Sequence, residues 1–313
     1  MEFSVVMPSY KTDKVIVRRA IDSVLKQTFD DFEVVIVDDN NENEYKLSNR
    51  ELVKEYKDKP VRFIFHDKNL GANPARNTGV MNANGDYIAF LDSDDEWNCN
   101  YLLSLHKYIT ETGKNLYSTN YQLVREYGTC PPVFKKNIQK SGYIFEKEIY
   151  GDLLGPTSTV CVRRSSLIEA GLFDVNLPAR QDFDMWLRVC KSNECIFVFA
   201  PLVLFYKNGK ETISSSSERY IRGSEIVLQK ILNDPDVPQK LHRSIRSSHY
   251  RQIAHGCITV RDFKNCRRFI IKALKNKFSI RLIGWYTLSL FPILFNKIID
   301  IRNWANAHYY SKW

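Results

Sequence analysis

The sequence predicts an α/β protein built on a mostly parallel sheet flanked by helices, and three observations carry that expectation. Apolar, β-branched runs at 3–7, 32–37, 61–65 and 87–91 alternate with segments of helical periodicity. The runs are mostly apolar, with only Ser4, Glu33 and Arg62 interrupting them, as strands covered on both faces are. Two of them, 32–37 and 87–91, end directly in carboxylate clusters. In a parallel sheet such ends share one rim, where ligands of α/β proteins sit.

In chain order, Phe3 to Met7 reads as a strand stopped by Pro8. A helix is expected over Val15 to Gln27, with Val17, Ile21, Val24 and Leu25 on one face. Phe32 to Val37 delivers Asp38-Asp39-Asn40, a polar helix spans 42–57, and Val61 to Phe65 is the third strand. Asn73 to Ala83 reads as helix, and Tyr87 to Leu91 runs into Asp92-Ser93-Asp94-Asp95. Val198 to Tyr206 is a later strand, and helices are expected over 224–232, 238–253 and 262–276.

Three carboxylates within four residues repel one another. At about 6 Å the repulsion is roughly 1 kcal/mol per pair in water and about 3 kcal/mol at a dielectric near 20. A hard divalent cation, Mn2+ or Mg2+, would relieve it, since such ions take one or two carboxylates and leave places for phosphate and water. The competing reading is an acidic turn in which one Asp caps the next helix.

At 313 residues, with 44 % hydrophobic and 26 % charged positions, the chain fits one large globular domain with an appendage. The N-terminus reaches Pro8 without the basic region and long apolar core of a secretory signal. Seven cysteines, an odd number without a CxxC pair, fit reduced thiols in a cytosolic protein. Charge divides the chain: residues 1–239 hold 30 basic and 34 acidic side chains, residues 240–313 hold 15 and 2. A shift of that size marks a candidate boundary.

The motifs Ser4-Val-Val-Met-Pro-Ser-Tyr10, Ser23-Val-Leu-Lys-Gln-Thr-Phe29, Val37-Asp-Asp-Asn40, Asn69-Leu-Gly-Ala-Asn-Pro-Ala-Arg-Asn-Thr-Gly79 and Leu91-Asp-Ser-Asp-Asp95 occur together in order. In this the chain resembles the family 2 glycosyltransferases, inverting enzymes with the GT-A (Rossmann-like, nucleotide-binding) fold, of the bacterial surface-polysaccharide type. The resemblance covers about residues 1–220, the expected catalytic domain. It implies that Pro8, Ser9 and Tyr10 line a nucleotide pocket and that Asp39 meets the uracil edge or ribose. Arg76 and Asn77 are expected near the nucleotide, with Ser93 beside them. Asp94 is expected on the metal, Asp92 on the ribose or a metal-bound water, and Asp95 in support.

The segment Leu167 to Asp174, followed by Arg180-Gln-Asp-Phe-Asp-Met-Trp-Leu-Arg188, resembles the family stretch whose aspartate is catalytic. Asp182 aligns with that base, and Gln181 replaces the usual Glu. A base is needed because inversion requires the acceptor hydroxyl to lose its proton as it attacks. An ordinary Asp, with a pKa near 3.9, is weak for this, so transfer is late or the surroundings raise the pKa. Capping of the following helix is the simpler role for Asp182 and is compatible with catalysis. Relatives often carry an Arg and a His where Lys207 and Asn208 stand.

Residues 221–313 are expected to form a basic helical region, cytoplasmic and peripheral on the inner face of the cell membrane. Phe263, Phe269, Ile270 and Leu274 among Lys264, Arg267, Arg268, Lys272 and Lys275 suit anionic lipid. The uncharged stretch 282–295, broken by Gly284 and Pro292, is short for a membrane span. It lies near Trp285, Tyr286, Trp304, Tyr309, Tyr310 and Trp313, aromatics of a headgroup boundary. A helical subdomain packed on the catalytic domain or on a second subunit is the alternative. Nucleic acid as partner lacks an accompanying fold.

The functional expectation is transfer of a hexosyl or N-acetylhexosaminyl group from a UDP-sugar to a saccharide acceptor carried on lipid. Two other classes fit the sequence less well. A nucleotide-binding oxidoreductase lacks GxGxxG after its first strand. A non-catalytic membrane or partner-binding protein on the same fold would not need Asp39, Asp92, Asp94 and Asp182.

Overall fold

A computed structural model describes residues 1–125, 128–136, 138–207 and 217–298. The first half alternates as expected: β1 (Phe3–Ser9), α1 (Lys14–Leu25), β2 (Phe32–Asp38), α2 (Asn43–Glu55), β3 (Val61–Phe65), α3 (Ala72–Met81) and β4 (Tyr87–Phe90). There follow β5 (Glu96–Trp97), α4 (Tyr101–Thr112), β6 (Leu116–Arg125), β7 (Gly128–Thr129), α5 (Phe145–Glu148), β8 (Val160–Arg163), α6 (Arg164–Glu169), α7 (Gln181–Cys190) and β9 (Cys195–Tyr206). Among the described residues these strands form one nine-stranded sheet of order β3-β2-β1-β4-β8-β6-β9-β5, with β7 on β6. β3, β2, β1 and β4 run parallel. β8 lies antiparallel between β4 and β6, and β6 and β9 are again parallel.

Side-chain alternation divides the core between the two faces. Phe3, Val5, Met7, Val34, Ile36, Tyr87, Ala89 and Leu91 pack with α1, α2 and α4 on one face. Val6, Ile88 and Phe90 pack with α3, α6 and α7 on the other. Every residue of β2 is buried, in keeping with its apolar run from Val34 to Val37, and Glu33 within it is paired with Ser4, Arg62 and Asn84.

The site is opened by a divergence of strands. β1 pairs with β2 through Ser9, but with β4 only as far as Val6. Pro8, with no N–H to donate, therefore sits where the β4 ladder has already ended. β1 has neighbours of opposite sequence direction, β2 on one side and β4 on the other. This is the topological switch point at which an open α/β sheet receives a ligand beyond its carboxyl strand ends.

Four further helices follow: α8 (Ser217–Asn233), α9 (His242–Thr259), α10 (Phe263–Asn276) and α11 (Ile280–Ser289). Val227, Leu228, Ile231 and Leu232 of α8 pack on Phe183 and Leu187 of α7, and Ile245 of α9 joins them. One membrane expectation changes here. Phe263, Phe269 and Ile270 of α10 are buried with Ile253, Ala254 and Cys257 of α9, so this apolar face covers a neighbouring helix and is closed to lipid. The 282–295 stretch is interrupted after Ser289, and only Leu282, Ser289 and Phe295 of it are buried. Among the described residues no helix is long and apolar enough to cross a membrane. Trp304, Tyr309, Tyr310, Trp313 and Asn208 lie outside the described residues.

His249 fixes α9 to the sheet domain. It is 3 % exposed, and its Nε2 donates to the Ile149 carbonyl at 2.9 Å. Burial pushes its imidazole down to about 4. Between that value and the ordinary 6.5 the unfolded chain binds the extra proton, so stability falls as pH drops through this window. Denaturant unfolding between pH 7 and pH 4 should lose roughly 2–3 kcal/mol from this group, and His249→Gln should flatten that slope.

Candidate active site

Three strand ends meet at the switch point. Ser9 closes β1, Asp38 closes β2, and Asp92 to Asp95 follow β4. Each is fastened by hydrogen bonds that local periodicity does not announce. Asp38 Oδ1 accepts from the backbone and side-chain amides of Asn40, both at 2.8 Å, and its Oδ2 accepts from Asn49 Nδ2 at 2.9 Å. Asn49 also donates to Ser9 Oγ. Asn40 in turn accepts from the Lys11 N–H at 2.6 Å, with Lys11 in the left-handed region at φ 47°. Tyr10, just before it, is 44 % exposed and presents its ring at the rim.

Asp39 is 1 % exposed, and its carboxylate is surrounded by donors of the chain itself. Leu70 N–H and Gly71 N–H reach it at 2.8 and 2.7 Å, Asn69 Nδ2 at 3.0 Å, and His66 Nδ1 lies 2.8 Å away. Those contacts hold the 69–71 turn, in which Gly71 has φ 102°, a region that only glycine occupies cheaply. The expected contact of Asp39 with uracil or ribose therefore competes with four protein donors. Asp39→Ala leaves Leu70, Gly71 and His66 Nδ1 without their acceptor, while Asn69 Nδ2 keeps the residue-39 carbonyl at 3.1 Å; for such partly buried donors the cost is at the lower end of about 1–3 kcal/mol each. Urea unfolding should show a loss of several kcal/mol together with weaker UDP binding; a residue that only touched ligand would weaken binding at unchanged stability.

The turn after β4 is built around Ser158, which lies fully buried in the 3₁₀ turn Thr157–Thr159. Its Oγ accepts from the Asp92 N–H at 3.1 Å and donates to Asp95 Oδ2; its carbonyl accepts from Trp97 Nε1 at 2.9 Å. Asp95 also accepts from the Tyr206 N–H at 3.0 Å. Burial, with the charges of Asp94 and Asp92, pushes the Asp95 carboxyl well above its usual range. Asp95 is thus an interior anchor. Asp94 is exposed, Asp92 is partly exposed, and Ser93 is buried with its Oγ 3.0 Å from Thr12 Oγ1.

Arg76 lies in α3, 8 % exposed, and donates to Asp92 Oδ1 at 2.6 Å with its guanidinium 5.7 Å from the Phe173 ring. Its Nε is buried without a partner. Asn77 faces elsewhere: its Nδ2 donates to the Phe173 carbonyl and its Oδ1 accepts from the Phe173 N–H, both at 2.9 Å. Asn77, expected near the nucleotide, thereby clamps the loop before α7. Asn73 Nδ2 adds a bond to the Asp174 carbonyl at 2.6 Å.

Asp182 stands in the first turn of α7 and is not its cap. Arg180, at φ 65°, precedes the helix, and Asp182 Oδ1 accepts from the adjacent Phe183 N–H at 2.8 Å. Asp184, two residues on, is 3 % exposed and ion-paired to Arg188 and Lys230, both at 2.8 Å. It is committed to structure, which leaves Asp182 as the carboxylate of this pair on the accessible side. Around Asp182 gather Arg180, Asp152, Glu148 and Tyr121, whose electrostatics are mutually felt. Burial first, then Asp182, raises the Asp152 carboxyl to about 6. The chain from Asp152 to Ser158 links this cluster to the acidic turn within at most about 20 Å of extended backbone.

A cation would find oxygen donors at Asp92 and Asp94, a set suited to an ion that keeps phosphate and water. Among the described residues no three His, Cys, Asp or Glu side chains are grouped for a metal, so the chain could supply only part of its shell. Ser158, Asn49, His66, Phe173, Asp152 and Arg180 were not found by sequence reasoning. Their roles come from contacts across the fold, and only the Gly-Pro flanking Ser158 hinted at a fixed turn.

Strand ends and switch point define an α/β protein whose carboxyl strand ends open on one acidic cleft. The sequence matches the family model for glycosyl transferase family 2 over residues 4–172, and the chain belongs to that family. It is 31 % identical to WcaA of Escherichia coli strain K12, assigned to colanic acid biosynthesis as a glycosyl transferase, over 69 % of this chain and 77 % of that one. It is 27 % identical to WfgD of Escherichia coli, a UDP-Glc:alpha-D-GlcNAc-diphosphoundecaprenol beta-1,3-glucosyltransferase, over 74 % of this chain and 87 % of that one. In fold it is similar to S. aureus TarS 1–349 solved with UDP-GlcNAc (TM-score 0.63, 18 % identity, 88 % and 89 % covered). It is also similar to the mannosyltransferase PcManGT of Pyrobaculum calidifontis, solved with GDP-Man and Mn2+ (TM-score 0.59, 14 % identity, 100 % and 88 % covered). The fold is GT-A, and the protein is a glycosyltransferase.

Proposed function

We propose that the chain transfers a sugar from a nucleotide-sugar, specifically a UDP-sugar, to a hydroxyl of a lipid-linked saccharide, with inversion, in bacterial surface polysaccharide assembly. The observation that carries this reading is the convergence of Ser9, Asp38, Asp39, Asp92 and Asp94 on one switch point, with Arg76 paired to Asp92. The relatives named for colanic acid and for a diphosphoundecaprenol acceptor support the choice of pathway class and acceptor.

In this reading Pro8, Ser9 and Tyr10 border the nucleotide, and Asp39 shapes its base end through the 69–71 turn. Arg76 and Ser93 hold the diphosphate end with Asp92. Asp94 and Asp92 hold Mn2+ or Mg2+, which supplies Lewis-acid neutralisation of the departing diphosphate. Asp182 takes the proton of the acceptor hydroxyl as it attacks the anomeric carbon from the side opposite the nucleotide. Asn77 keeps Phe173 and the loop before α7 in place, so it positions and does not touch donor. Residues 1–220 form the catalytic domain, and the basic region 221–313, helical in α8 to α11, meets the cytoplasmic face of the membrane. Exposed Phe278, Ile280, Phe291, Ile293 and Leu294 support that contact, in place of the buried face of α10. A screen of nucleotide-sugars that follows nucleotide release with and without Mn2+ tests the donor: UDP-sugars should be turned over, and activity confined to GDP-sugars would refute the choice.

A further inference from the structure

A second polar cavity, of about 400 Å³, lies away from the acidic turn and is lined by Tyr220, Arg251, Gln252, His255, Arg281 and Trp285. Among the described residues no carboxylate lines it. Arg251 and His255 are one turn apart on α9 and so share a face, and Arg281 faces them from the start of α11. The Arg281 guanidinium lies 5.2 Å from the Trp285 ring centroid, and the His255 and Trp285 rings are 5.9 Å apart. Among the described residues Arg251 hydrogen-bonds only Ser248, at 3.4 Å, and neither arginine has an acidic partner. Two guanidinium forks without counter-charge at one concavity match the oxygens of a phosphate or diphosphate group.

The cavity adjoins the acceptor side of the catalytic cluster. Gln252 Nε2 donates to the Tyr150 carbonyl at 2.6 Å, and Gly151 fits so closely that a Cβ there would stand 2.5 Å from the same nitrogen. Asp152 is the next residue. On the other wall, Tyr220 is the foremost of the groups that favour the charge of Arg180. Apolar side chains emerge beside the cavity, with Phe278 76 %, Ile280 80 % and Ile283 41 % exposed around Arg281.

We propose that this cavity is the seat of the diphosphate of an amphiphilic acceptor. Arg251 and Arg281 hold its oxygens, the saccharide passes Tyr220 toward Asp182, and the hydrocarbon leaves over Phe278, Ile280 and Ile283. The proposal rests on the lipid-linked acceptor reading but makes a separate claim about where the diphosphate binds.

The test uses the full chain with its donor site saturated by UDP and inorganic diphosphate as probe, followed by calorimetry and by Trp285 fluorescence against a Trp285→Phe control. Wild-type protein should bind the probe, and Arg251→Gln/Arg281→Gln should weaken it at least about tenfold. Arg251→Lys/Arg281→Lys, which keeps charge but loses the fork, should recover part of the affinity and so exclude misfolding. In turnover, the KM for a prenyl-diphosphate saccharide should rise by a similar factor in the glutamine variant, with the KM for donor as internal reference. Absence of diphosphate binding to wild-type protein overturns the proposal. So does a glutamine variant that loses only its binding to anionic vesicles, since that outcome places a phospholipid headgroup at the arginines. If no saccharide acceptor is glycosylated at all, the functional reading falls while the diphosphate titration still decides the cavity.

Discussion

Asp182→Asn should lower acceptor-dependent sugar transfer by about 10³-fold, within the 10²–10⁴ range of a lost general base, while UDP binds as before. Asparagine keeps the shape and the contact to the Phe183 N–H, so α7 is undisturbed, but it cannot accept the proton of the attacking hydroxyl. Asp184 is held by Arg188 and Lys230. Asp152, whose Oδ1 accepts from the Gly155 N–H at 2.9 Å, is raised to about 6 by burial and the charge of Asp182 and is mostly ionised at neutral pH, so Asp152→Asn is the companion variant and should retain far more activity than Asp182→Asn. Single-turnover rates at saturating donor separate the chemical step from binding. A variant that retains more than about a tenth of wild-type rate would move the base elsewhere.

Asp94→Ala should reduce turnover by a large factor, about 10²–10⁴, because in the proposed reading its carboxylate would hold the cation that would neutralise the leaving diphosphate. Its signature differs from that of Asp182→Asn. Apparent affinity for Mn2+ should fall, and UDP affinity measured with metal should fall with it. Stability should hold within about 0.5 kcal/mol, since the side chain is at the surface. Removal of its charge also relieves part of the field that raises the Asp95 carboxyl. Asp92 would respond otherwise: its loss strips Arg76 of its ion pair at a site where the Arg76 Nε already lacks a partner. Thermal melting and metal titration of the two variants distinguish the two effects.

How much of this was legible without coordinates depends on the range of the interaction. β2 and β3 are readable almost to the residue because short runs rich in Val, Ile and Phe, fully buried in β2 and half-buried in β3, stand between polar turns. The carboxylates at the ends of β2 and β4 were visible for the same reason. What holds them was not. Ser158 reaches Asp92 and Asp95 across more than 60 residues, and Asn77 reaches Phe173 across 96. Antiparallel insertion of β8 between β4 and β6 likewise depends on pairings that no local period encodes. The amphipathic pattern of α10 was read correctly as a pattern, but it could not say whether lipid or α9 would cover the apolar side; α9 does. Helical spacing did separate Asp182 from Asp184, because residues two apart cannot share one face.

The central claim is inverting transfer from a UDP-sugar with Asp182 as base, and the most direct measurement is proton NMR of the reaction with an α-linked UDP-sugar and a lipid-linked saccharide. The account predicts a β-linked product that forms with UDP, needs the acceptor and disappears in Asp182→Asn. An α-linked product, or a β-linked product formed as fast by Asp182→Asn, would contradict it.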